Sequence, residues 1–71
     1  MERTFLRLRD VKLETGLSRS SIYRMIALHR FPAPVRIGER ASAWLASEVR
    51  EWCDERVRQS RGSVLTVRVA T

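Results

Sequence analysis

One cysteine and one histidine among 71 residues leave no disulfide framework and no ligand set for a closed zinc site. Lysine is nearly absent, since Lys12 stands alone among fourteen basic residues. No apolar run approaches the ~18 residues of a membrane span, and nothing resembles a signal peptide. A soluble, cytoplasmic protein of a reducing compartment is the expectation. There are no repeats and no low-complexity segment. The length excludes a dinucleotide fold, a barrel or a kinase, each of which needs several times as much chain. A domain this small buries only about 60% of its unfolded surface.

What is present is basic charge on a foldable chain. Hydrophobic residues make up 44% and charged residues 31%, a composition suited to a globular domain. Lys+Arg outnumber Asp+Glu by 14 to 8, a formal net charge of +6. Residues 1–40 carry nine basic and four acidic side chains, and residues 41–71 carry five and four. Between Gly16 and Arg40 lie Arg19, Arg24, Arg30, Arg36 and Arg40 against Glu39 alone. Codon bias explains arginine in place of lysine, but not the basic excess or its clustering. Such clustering is the footprint of phosphate contact.

Hydrophobic periodicity predicts a first helix from about Arg9 to Thr15, with Leu8, Val11 and Thr15 inward and Gly16 as its stop. Leu13 falls outside that stripe. Ser18 is a good N-cap for a second helix, Arg19 to His29. Its inner face holds Ile22, Met25, Ile26 and His29, and its outer face Ser20, Tyr23, Arg24 and Ala27. Two helices joined by a Gly-containing turn are the sequence form of a helix-turn-helix. Phe31-Pro32-Ala33-Pro34 ends the second helix. Val35-Arg36-Ile37 and Ala41-Ser42-Ala43-Trp44 around Gly38-Glu39-Arg40 read as a hairpin, with Val35 and Ile37 sharing a face. Ser47 is placed to cap a third helix, Glu48 to about Gln59, with Val49, Trp52, Cys53 and Val57 inward. The expected fold is mainly α, three helices plus a two-stranded wing. Residues 1–59 form the domain. Residues 60–71 are a tail, or a strand over Val64–Val69 that pairs with another chain.

The outer face of the second helix is the foremost functional candidate. Arg19, Ser20 and Arg24 suit base reading, because Arg pairs bidentately with guanine and Ser serves base edges or phosphate. Ser18 and Ser21 can hold phosphate at the helix N-terminus, and Tyr23 sits at the margin. The plain alternative is a solvated face with Tyr23 packed sideways. Arg36 and Arg40 on the hairpin suit a backbone or minor-groove contact. Trp44, Trp52 and Phe31 read as packing units rather than stacking platforms, His29 as a packed histidine, and Cys53 as a small hydrophobe. No nucleophilic triad, carboxylate pair or phosphate-binding glycine loop can be assembled, so no enzyme and no cofactor are expected.

Taken in order, Leu8, Val11, Thr15-Gly16-Leu17-Ser18-Arg19-Ser20-Ser21-Ile22-Tyr23, Arg30-Phe31-Pro32, Pro34, Gly38, Arg40, Trp44, Ser47-Glu48-Val49 and Trp52 form a spaced set. Across about residues 5–57 this set resembles the AlpA-type family of small prophage transcriptional regulators, relatives of phage excisionases. The resemblance implies a MerR-like winged helix-turn-helix that binds double-stranded DNA in prophage or mobile-element regulation. It implies a recognition segment over Ser18 to Arg24 and a wing over Arg36 to Arg40. Expected partners are duplex DNA, neighbouring copies of the chain, and an integrase or the transcription machinery. An excisionase role, with several copies bending DNA, uses the same surface. A protein-interaction adaptor with a basic face is the reading from another class.

Overall fold

A computed structural model describes the backbone of residues 4–67 and the side chains of residues 4–62. In chain order the elements are β1 (Phe5–Leu6), α1 (Leu8–Thr15), α2 (Arg19–Ala27), β2 (Val35–Gly38), β3 (Ala41–Leu45) and α3 (Ala46–Val67). The result is a winged helix-turn-helix, mainly α, as the pattern leads one to expect.

The sheet has one strand more than the sequence suggests. Its order is β1-β3-β2, all antiparallel, with Phe5 opposite Leu45 and Leu6 opposite Trp44. The Ala46 N–H donates to the Thr4 carbonyl at 2.8 Å, which extends this pairing into the start of α3. The C-terminal half of β3 therefore holds β1 while its N-terminal half holds β2. A hairpin of two strands is marginal alone, and this second pairing, by a third strand, anchors the wing in the domain.

The turn between α1 and α2 shows why Thr15-Gly16-Leu17-Ser18 folds as it does. Gly16 adopts a left-handed conformation at φ 75°, and its N–H closes α1 by donating to the Lys12 carbonyl at 2.8 Å. The Thr15 hydroxyl donates to the Val11 carbonyl at 2.8 Å and accepts the Leu17 N–H at 3.1 Å. Ser18 Oγ then accepts the Ser21 N–H at 3.1 Å, the expected cap of α2. No backbone donor of the turn has to be buried unpaired.

Leu6, Val11, Ile22, Phe31, Trp44, Ala46 and Val49 form the core, with Leu8, Leu17, Met25, Ile26, Trp52 and Cys53 packed against it. The two indoles also pin the segment between α2 and the wing. Trp44 Nε1 donates to the Pro32 carbonyl at 2.9 Å and Trp52 Nε1 to the Arg30 carbonyl at 2.8 Å. The Phe31 ring meets the Trp52 ring edge-on, 4.8 Å between centroids. Leu13, outside the inner stripe of α1, is 76% exposed.

Five local expectations are corrected. His29 is exposed rather than packed inward, because α2 ends at Ala27 and His29 takes φ 59° just beyond it. The Arg30 N–H donates to Met25 and the His29 N–H to Ile26, the paired bonds of a Schellman cap. Ile37 does not share the half-buried side of Val35, since a bulge between Arg36 and Gly38 breaks the alternation. Ser47 lies in the first turn of α3, which starts at Ala46 directly off β3. Val57 is 45% exposed, because by that turn α3 has left the core. Finally, α3 continues past Gln59 to Val67, so residues 60–67 are helical rather than extended. The remainder of the Val64–Val69 run lies outside the described residues.

Candidate nucleic-acid interface

Helix α2 is fixed from both ends and beneath. Ser18 and the braced turn hold its start, the Schellman cap holds its end, and Ile22 is fully buried under its middle. At ~100° per residue, that burial turns Ser20, Tyr23, Arg24 and Ala27 outward. All four are exposed, as are Ser18 and Arg19, while Ser21 is half-buried. The structure thus gathers six of the sequence-selected residues at α2 and its N-cap, with Ser20 and Arg24 facing outward, Arg19 and Tyr23 toward one flank and Ser21 toward the other.

Three of them, Ser18, Tyr23 and Arg19, are less free than their exposure suggests. The Ser18 hydroxyl caps α2 and donates to Ser21 Oγ at 3.1 Å, so its proton is engaged within the helix start. Tyr23 leans against Trp44 in an edge-to-face contact at 6.2 Å, and the Arg19 guanidinium lies over the Tyr23 ring at 5.3 Å. Arg19, Tyr23 and Trp44 form a stack from surface to core that holds one flank of α2 in place. The first-turn N–H groups of Arg19 and Ser20 have no intrahelical carbonyl to bond, and the helix macrodipole favours an anion at this end.

Arg36 and Arg40 stand apart from this cluster. Arg36 is exposed on β2 opposite Ser42, and Arg40 occupies the two-residue turn Glu39-Arg40 that Gly38 and Ala41 close. Both project from the hairpin with no ion-pair partner among the described residues. The hairpin therefore presents two separated cations, whereas α2 presents a contiguous face.

On the other flank of α2 the structure makes a juxtaposition that linear spacing does not encode. Ser21, Arg24, Met25, Leu28, Arg30, Leu17 and Arg56 line one groove between α2 and α3. Arg30 follows the helix cap, and Arg56 arrives from α3, half a chain away. In the sequence Arg30 registers as charge and as part of the Arg30-Phe31-Pro32 segment, and Arg56 belongs to the near-neutral half of the molecule. The place of Arg30 just beyond the end of α2, in the segment Arg30-Phe31-Pro32, is its local signal; nothing local singles out Arg56.

Elsewhere the chemistry is sparse. Burial raises the Cys53 thiol above its ordinary pKa, and the nearby charges of Glu14 and then Asp54 raise it further, the reverse of what a thiolate nucleophile needs. Among the described residues no group of three or more His, Cys, Asp or Glu is arranged to hold a metal ion. No helix among them is long and apolar enough to cross a membrane.

Residues 4–57 match the family model described as prophage CP4-57 regulatory protein (AlpA). A relative described as the uncharacterized protein ORF88, from Enterobacteria phage P4, is 45% identical over 53 residues, 75% of this chain. The chain spans 60% of the length of that relative. The family match covers α1, the braced turn, α2, the wing and the first turns of α3, and so every residue of the candidate interface. The chain belongs to the AlpA family of prophage regulatory proteins.

Proposed function

We propose that the protein is a sequence-specific regulator that binds double-stranded DNA, with α2 in the major groove and the β2–β3 wing against the adjoining backbone. The observation that carries this reading is the outward, exposed face of α2, bearing Arg19, Ser20, Tyr23 and Arg24 on a helix immobilised at both ends. A protruding helix with such a face has the dimensions and donors to read base edges. In this reading Arg24 and Ser20 read bases, while Arg19, Ser21 and the free N–H groups of the first turn hold phosphate. Ser18 acts through the cap, and Tyr23 keeps Arg19 in position. Arg36 and Arg40 meet the sugar–phosphate edge. Membership of a prophage regulatory family supports a role in controlling prophage or mobile-element genes.

The test is a titration of random and selected duplexes with the wild type and with Arg24→Ala. The expected outcome is a sequence-preferring complex, discrimination at one base position falling by about 1–3 kcal/mol in the variant. Arg36→Ala should weaken all duplexes about equally and leave the preference intact. Binding that ignores sequence in the wild type as in Arg24→Ala removes the base-reading role of α2.

A further inference from the structure

We infer that the groove between α2 and α3 is a second phosphate site, in which Arg30 and Arg56 grip the DNA strand on the side of α2 opposite the wing. The inference rests on the proposed DNA-binding reading and adds a surface to it.

Three arginines share the groove, contributed by α2 (Arg24), the segment after it (Arg30) and α3 (Arg56), together with the half-buried Ser21. No acidic side chain lines it. Among the described residues neither Arg24 nor Arg30 forms an ion pair. Arg56 is held in a fixed pose, its guanidinium over the Trp52 ring at 4.9 Å and its Nη1 donating to Gln59 Oε1 at 3.2 Å. Glu55 borders Arg30 and Arg56 in the adjoining hollow. Its oxygens are taken by Arg58 and Gln59. The Arg30 backbone is fixed too, since its carbonyl accepts Trp52 Nε1 and its N–H donates to Met25. Three like charges in one concavity repel each other, and a phosphodiester is the counter-charge that fits guanidinium donors.

The position of the groove selects DNA backbone over a free anion. Around the axis of α2, Tyr23 and the wing-side stack occupy one flank, and Ser21, Arg24 and Leu28 the other. The major groove is ~12 Å wide and is walled by a backbone on each side. A helix seated in it has a strand on both flanks. The wing meets one strand, and the Arg30–Arg56 groove is placed to meet the other.

The experiment measures duplex affinity from 50 to 300 mM salt for the wild type, Arg30→Gln, Arg56→Gln, the double variant and Arg56→Lys. Thermal melts accompany each protein. Each Gln variant should make the slope of log K against log salt shallower by about 0.9, and the double variant by about 1.8. Affinity at 0.1 M salt should fall roughly five- to tenfold per site, alike on all sequences. Arg56→Lys, which keeps the charge but not the planar stack, should keep the wild-type slope. A Gln variant that weakens binding with an unchanged slope, or that alters sequence preference, overturns the inference. So does an unchanged slope in folded variants while Arg24→Ala still relaxes specificity, and then the DNA-binding reading survives alone. A wild type that shows no salt-dependent duplex binding sinks both.

Discussion

Two glycines of the family pattern carry different weights. Gly16 has open space where a side chain would begin but sits at φ 75°, whereas Gly38 has ordinary backbone and would place a Cβ 3.6 Å from the Ala41 Cβ. The cost of a side chain at Gly16 is therefore conformational alone, and at Gly38 there is almost none. Gly16→Ala should lower stability by about 1–2 kcal/mol, the penalty of the left-handed region for an L-residue. Gly38→Ala should lie within about 0.5 kcal/mol of the wild type. Chemical denaturation of the two variants checks the contrast. His29 presents the opposite case, a side chain already strained at φ 59° and exposed. His29→Gly removes that strain but adds backbone entropy to the unfolded chain. Because the position is the Schellman C′ residue, relief should win, and the melting temperature should rise by a few degrees, at about 4–8 °C per kcal/mol for a domain this size. A fall would mean that the His29 side chain makes a stabilising interaction of its own.

At the scale of elements, the helix-turn-helix was legible because each of its signals is local. Leu8, Val11 and Thr15 recur at helical spacing, Gly16 marks the stop, and Ser18 the restart. The outer-face residues Ser20, Tyr23, Arg24 and Ala27 are exposed where that period puts them. Strand β1 was not legible: two residues carry no period, and their partners, Leu45 and Trp44, lie about forty positions away. The inward assignment of His29 failed because periodicity continues on paper for one turn after the backbone has left the helix. The groove at Arg30 and Arg56 was out of reach for the same reason as β1, being made by packing rather than by spacing. The length of α3 was misjudged because Gly62 and the β-branched run after it disfavour helix one residue at a time. A helix already nucleated on the core propagates at lower cost than it starts. Among the described side chains its anchoring fades, with Val49 buried, Trp52 and Cys53 half-buried and Val57 exposed. Removing residues 60–71 should therefore leave the melting temperature within a few degrees of the full chain, since surface changes away from the core stay near ±0.5 kcal/mol. A large loss would show that the last turns of α3 bury surface against the domain.

For the whole molecule the decisive feature is that its charge is sorted. Four of the eight acidic residues, Glu48, Glu51, Asp54 and Glu55, fall within the first turns of α3. Glu48, Glu51 and Glu55 line a groove with Pro32, Ala33, Trp52 and Arg58, the last paired with Glu55, and it shares no residue with the arginine groove. A net charge of +6 divided in this way does more than attract a polyanion, because it also orients the protein on approach. With about five phosphate contacts, log K should fall against log salt with a slope near −4 to −5. The acidic groove contributes none of those contacts if α2 and the wing face the duplex. The double variant Glu48→Lys, Glu51→Lys raises the net charge from +6 to about +10 and tests this directly. At 0.15 M salt the Debye length is about 8 Å, so charges on a face turned from DNA are largely screened, and affinity should change by no more than about twofold. At 0.01 M salt, where screening reaches about 30 Å, the same variant should associate faster. A slope steeper by about two would mean that each new lysine displaces a counterion from the duplex. The first turns of α3 would then lie against DNA, and the orientation that puts α2 in the major groove would be wrong.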